Sequence, residues 1–201
     1  NMKLEHVTQH IYLVLMAALF TIVFGLIFGI IAYLYPKARK YVIFVFDLFQ
    51  TIPTLATLGL LMVVFGASPT TVIVGLTLYN LLPVVRNTMV GLMEVAPAIK
   101  EAAEGMGMPK MTKLFKVELP LAFPLIFAGM RISLVNSIGS AVMGFFVGGG
   151  GLGYVLYRGI RTMNFTFIIQ GTLTLMAMAI VVDAVMSFYE HKLLPKNQRG
   201  A

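Results

Sequence analysis

The sequence predicts an all-α membrane protein, five transmembrane helices in a single domain. Three observations carry that prediction. Apolar residues make up 59% of the 201 and charged residues only 11%, against roughly 45–50% and 25% in soluble domains. Mean hydropathy is +0.90. Five apolar runs recur along the chain, and a bilayer core needs about 20 such residues per helix. A soluble enzyme and a disordered chain are both excluded by this composition. The absence of cysteine removes disulfides, thiol catalysis and thiolate metal sites.

The first run, 11–35, carries no charge; it is too long for a signal-peptide core, and no small-residue cleavage site follows it. Pro36-Lys37-Ala38-Arg39-Lys40 then makes a basic turn. The second run, 41–65, is interrupted by Gln50-Thr51-Ile52-Pro53. A short turn leads into the third, 70–85. The fourth, 119–147, opens with Leu119-Pro120, and the fifth covers 165–189. Between spans three and four lies a charged loop, 86–118, and between four and five a Gly-rich segment with Arg158 and Arg161.

The net charge of +7 is read as topology rather than as a nucleic-acid surface. Lys37, Arg39, Lys40, Arg86, Lys100, Lys110, Lys113, Lys116, Lys192, Lys196 and Arg199 fall on one side of five spans; Lys3, Arg158 and Arg161 fall on the other. The richer side is cytoplasmic by the positive-inside rule. That puts the N-terminus outside and the C-terminus inside the cell membrane.

The loop 86–118 reads as two short helices with a break. Pro97 suits a first helical turn, and Lys100 to Glu104 are good helix formers. Gly107 can take the left-handed conformation that ends a helix, and Pro109 can start the next. Such a helix either offers a knob to another protein or lies on the lipid surface. The spacing favours the first. Glu101-Ala102-Ala103, three residues, Gly107, nine residues, Val117, one residue, Leu119-Pro120 resembles the EAA signature of ATP-binding-cassette (ABC) importer permeases, with Val117 where the family usually has Ile. Gln50-Thr51-Ile52-Pro53, the stretch from Leu82-Pro83 to Asn87-Thr88, and Gly149-Gly150-Gly151-Leu152-Gly153 are similar to the osmoprotectant branch that handles glycine betaine, carnitine and choline.

The resemblance implies the transmembrane domain of a type I importer. The loop would be its coupling helix, with Glu101, Ala102, Ala103 and Gly107 forming the contact and hinge with an ATPase and Leu119 and Pro120 leading into span four. It implies two cytoplasmic ABC ATPase subunits, a second permease subunit (identical or similar) and an external substrate-binding protein. ATP and Mg would be held by the ATPase, leaving this chain with no cofactor, no metal and no catalytic residue. No G-x-x-x-x-G-K-[ST] occurs in the sequence, in keeping with that division. Gly148 to Gly153 fits G-x-G-x-x-G in form but follows a membrane helix instead of a strand, so it reads as an external turn at the outer gate. A permease for another small solute such as methionine shares much of the pattern. An ATP-independent secondary transporter is the rival from another class, and no midplane acid supports it.

Polar residues within the spans are candidates for the path. Gly129, Ser133, Asn136, Ser137, Ser140 and Gly144 recur at three and four, on one helix face. They line a solute route or let backbones approach closely. Gln50, Thr51 and Pro53 break span two, and Asn80 with Pro83 does the same in span three; each break frees a carbonyl for a ligand or is a kink that neighbours satisfy. Asp47, Arg86, Arg131 and Asp183 are expected to pair with one another, since unpaired intramembrane charge is expensive. His6, His10 and His191 read as interfacial residues at segment ends. The 23 Phe and Tyr could cage a quaternary ammonium, but in a membrane they more often pack or face lipid.

Overall fold

The computed structural model describes residues 3–193, so Lys196 and Arg199 lie outside the described residues. Helix α1 runs Leu4–Leu34, α2 Pro36–Thr51, α3 Thr54–Phe65, α4 Pro69–Glu94, α5 Pro97–Gly105 and α6 Lys110–Lys113. A π-helical stretch, Leu114–Glu118, passes into α7, Leu119–Ser140, which tightens to a 3₁₀ stretch over Ala141–Val147. Helices α8, Leu152–Arg161, and α9, Phe165–Leu193, follow. No strand occurs among the described residues. Four continuous segments are long and apolar enough to cross a membrane: α1, α4, Lys110–Val147 and α9. Helices α2 and α3, bent by 101° at their junction, make the fifth.

Helix α4 is the centre of the bundle, packed between α1 and α7. Close approach depends on glycine. A Cβ on Gly25 would lie 2.6 Å from Val84, and one on Gly29 2.5 Å from Thr88. Without those methyl groups the two backbones pack in direct contact, the usual route to helix association in lipid. Three apolar clusters fill the described bundle: one joins Leu13, Ala17, Leu58, Leu76 and Ile138, a second joins Val84, Leu92, Leu114, Ala122 and Ile126, and a third joins Phe46, Leu81, Leu82 and Val85.

The boundaries differ from the sequence expectation in several places. Span three continues to Glu94 instead of stopping at 85, because the polar residues 86–88 are accommodated within the helix. Asn87 Nδ2 donates to the Pro83 carbonyl at 2.8 Å, and Thr88 is buried against α1. The loop is accordingly short, and α6 merges with α7 before Leu119. Span two is an elbow and no straight crossing. The Gly-rich segment gives way to α8, an amphipathic helix whose Leu152, Val155 and Gly159 face inward.

His10 corrects the interfacial expectation for that residue. Because α1 begins at Leu4, His10 sits nearly two turns inside it and is fully buried. Its ring lies 3.0 Å, Nε2 to oxygen, from the Ile138 carbonyl, close to where α7 tightens. The glycine turn closes over it: Gly151, at φ +68, donates its N–H to Gln9 Oε1 at 3.2 Å. The G-x-G-x-x-G stretch is thus a packed turn against the start of α1.

Candidate functional site

The short helix α5 is clamped on one face and open on the other. Lys100 Nζ donates to the Leu92 carbonyl at 2.8 Å, in the last turn of α4, and stands over the Tyr33 ring at 5.1 Å. At the other end Glu104 accepts a bond from Lys113 Nζ, and Lys113 also lies 3.6 Å from Glu118 at the foot of α7. Glu118 is buried, so this second contact places a cation beside a carboxylate that has no solvent. The Lys113 bond and charge hold the Glu104 carboxyl below its ordinary range. These contacts tie α5 to α4 through Lys100 and to the foot of α7 through Lys113.

The open face carries Glu101 and Ala102, both exposed. Ala103 is 1% exposed and points into the chain. It therefore supports the helix from beneath and offers no partner contact, a correction to the expectation for that residue. Gly107 takes φ +77, a conformation that costs a side-chain-bearing residue roughly 1–2 kcal/mol, and Gly107 N–H closes onto the Glu104 carbonyl at 2.8 Å. Leu119 and Pro120 follow the π-helical stretch. Pro120 has no N–H to complete the ladder, and Leu119 N–H reaches back five residues to the Leu114 carbonyl.

Beyond this loop, α7 and α9 carry a charge network. Arg131 donates to Asp183 through two bonds of 2.8 and 3.0 Å, and to Glu190 through a third of 2.7 Å. Arg86 and Asp47 lie 3.7 Å apart, both largely exposed, and such a contact is worth little. Glu190 was not a sequence candidate. Its position seven residues after Asp183, two turns along one face, is the signal that would have found it.

Residues 21–195 match the family described as binding-protein-dependent transport system inner membrane components. The chain belongs to that family. OpuCD, a glycine betaine/carnitine/choline transport system permease protein of Bacillus subtilis (strain 168), is 41% identical over 198 residues, 98% of this chain and 85% of its own length. OpuBD, a choline transport system permease protein of the same organism, is 43% identical over 82% of this chain and 74% of its own. In structure, a chain of the MetNI methionine ABC transporter in an inward-facing conformation matches with a TM-score of 0.87 over 96% of each chain. At 23% identity that likeness concerns the fold.

In this inner membrane component the polar residues of the spans divide into two groups. Ser133 and Ser137 are buried; Ser133 Oγ donates to the Asn80 carbonyl at 3.1 Å and Ser137 Oγ to the Ser133 carbonyl at 2.8 Å. A Cβ on Gly129 would meet Asn87 and the Pro83 carbonyl. This face is a helix–helix contact. Asn136 turns away from it and is exposed, with Ser140 half-buried, so the six residues do not share one face. Asn136 lines a cavity of about 280 Å³ together with Arg131, Asp183 and Glu190.

The break in span two is tied to the break in span three. Pro83 has no N–H for the Tyr79 carbonyl four residues back, and Gln50 Nε2 supplies the missing donor at 3.2 Å. Gln50 is thus a clamp between α2 and α4. Thr51 Oγ1 turns back to the Leu48 carbonyl at 2.7 Å, Pro53 starts α3, and Asn80 is buried with Nδ2 on the Leu76 carbonyl. A larger groove of about 860 Å³ between α1, α2 and α4 is lined by Phe20, Phe24, Phe28 and other apolar side chains, the chemistry of a lipid-facing surface. Among the described residues no group of acidic or histidine side chains could hold a metal.

Proposed function

We propose that this chain is the permease subunit of an ATP-driven importer that moves a trimethylammonium solute of the glycine betaine, carnitine or choline class into the cytoplasm by alternating access. The geometry of α5 carries the proposal: a short helix anchored to α4 by Lys100 and to α7 by Lys113, with Glu101 and Ala102 left open. A helix built this way is a lever. The relatives whose names specify glycine betaine, carnitine and choline support the solute class.

Two cytoplasmic ATPase subunits bind α5 of each permease and hold ATP and Mg; this chain holds no cofactor. A second permease subunit completes the path, and an external binding protein delivers solute. The N-terminus lies outside and the C-terminus in the cytoplasm, a reading that the distribution of Lys and Arg supports. Closure of the ATPases pushes α5, the push passes to α4 and α7, and the bundle rocks between outward and inward access.

The test is uptake by the transporter reconstituted with its ATPase and binding protein. Labelled choline, carnitine and glycine betaine are expected to accumulate with ATP and not without it. Accumulation of methionine instead would replace the solute assignment, and uptake without ATP would overturn the mechanism.

A further inference from the structure

Two cavities on the flank of α7 meet at a single salt link. The outer, about 280 Å³, contains Asn136, Arg131 and Asp183. The inner, about 360 Å³, runs past Glu94 to Ala96 and Ile99, where α5 begins. Their shared walls are Ala128 and Glu190. Ala128 contributes a methyl group fixed to α7. Of the two shared residues Glu190 has the long, movable side chain, and its carboxylate accepts the 2.7 Å bond from Arg131.

The two carboxylates on Arg131 are not equivalent. Asp183 grips the guanidinium through the parallel pair of bonds that fixes its orientation. Glu190 holds the group by one bond from the last turn of α9. Releasing Glu190 leaves the arginine paired with Asp183, so no bare cation is stranded among apolar helices. Releasing Asp183 would remove both bonds of the fork.

We propose that Glu190 is the cytoplasmic-side gate of the solute path. Bonded to Arg131 it separates the two cavities, and released it joins them. Asp183 is the positioning residue that keeps Arg131 in place through both states. Ala96 and Ile99, in the wall of the inner cavity, place the gate within reach of α5 movement. The inference rests on the permease reading.

The absence of cysteine from the sequence makes a direct test practical. Asn136→Cys reports on the outer cavity in the assembled transporter, in inside-out vesicles exposed to a membrane-impermeant thiol reagent, with modification read by the mass of the permease. In the Glu190→Gln background the labelling rate is expected to rise about tenfold, the shift that loss of one charge-assisted hydrogen bond produces in a two-state gate. Glu190→Asp, which keeps the carboxylate, should return the rate toward that of the parent. Ile138→Cys, buried in the bundle, should stay unreactive in all three backgrounds. Equal Asn136→Cys rates with Glu190 and with Gln overturn the gate, as does a parallel rise at Ile138→Cys, which would mean general loosening. Failure of the parent transporter to accumulate solute with ATP would overturn the permease reading instead, and it is measured separately from the labelling rates.

Discussion

Gly129→Ala decides whether the small-residue stripe of α7 is a contact or a path. A Cβ at this position falls 2.8 Å from the Pro83 carbonyl oxygen and 2.7 Å from the Asn87 Cβ, where ordinary contacts begin near 3.4 Å. Helices α4 and α7 must therefore part by about 0.6 Å, enough to forfeit a quarter or more of the attraction across the seam. The Ser133 to Asn80 bond, one turn on at 3.1 Å, lengthens with it. Overpacking of this kind costs about 1–3 kcal/mol, and the helix preference of Ala over Gly returns roughly 0.5–1. The net loss, about 1.3 kcal/mol at the centre of these ranges, should lower the melting temperature by roughly 3–5 °C in a chain of this size. Gly139→Ala on the same helix meets no atom within 4 Å and should raise it by about 1–3 °C. The assay is helical circular dichroism of the purified permease during heating. If Gly129→Ala matches Gly139→Ala, α4 and α7 do not touch along this face, and the stripe lines a cavity.

Three further predictions follow from the same geometry. Ala102→Arg, on the open face of α5, should abolish co-purification of the ATPase with stability changed by less than about 0.5 kcal/mol; Ala103→Leu, beneath the helix, should destabilise by about 1–3 kcal/mol, and intact ATPase binding by Ala102→Arg would remove α5 as the docking element. Glu104 is held below its ordinary value, so its pair with Lys113 stabilises α5 above the unfolded Glu value and is lost as pH falls through the folded one. Cleavage of the loop by pepsin, taken as the ratio of parent to Glu104→Gln so that the protease's own pH dependence cancels, should accordingly rise on acidification, while trypsin cleavage at Lys113 should be slower in the parent than in Glu104→Gln at neutral pH. Gln50→Leu strips the Tyr79 carbonyl of its donor at about 1–3 kcal/mol; Pro83→Ala returns an N–H to that carbonyl, so the double variant should lose less than the two single losses added, and strict additivity would refute the clamp.

The spans were legible because a bilayer demands long apolar runs and the chain supplies them. What was not legible traces to packing between segments. Arg86, Asn87 and Thr88 read as the start of a loop, but a helix can carry them when Asn87 bonds the Pro83 carbonyl and Thr88 packs on Gly29. The residues 50–53 marked a break in span two, yet no local rule gives its 101° angle, since the direction of α3 depends on Leu58 packing against Gly75. Asn136, three residues from Ser133, sits at the edge of a helical face, where periodicity alone does not decide between two neighbours. In the loop 86–118 the sequence predicted a short helix from Pro97, and α5 is that helix, but only tertiary contact separates exposed Ala102 from buried Ala103. His10 was misplaced because the start of α1 was drawn at 11, when the helix begins at Leu4.

The described chain has one flank that its own residues do not cover. Of α9, Gly171 alone is buried, while Leu173, Met176, Ile180, Val185 and Phe188 are all exposed. Lipid can cover such side chains without cost, because acyl chains are as apolar as leucine. It cannot cover Arg131, Asp183 and Glu190 in the same way. Their side chains remain 28%, 46% and 21% exposed, and charge facing hydrocarbon costs several kcal/mol even when paired. The sides of α7 and α9 that bear this network must therefore meet water or protein. An aqueous path between two such subunits supplies both, with the apolar parts of α9 left to lipid or to the partner. On that argument the half-exposed network, more than the bare apolar helix, is the observation that favours the proposed second permease subunit.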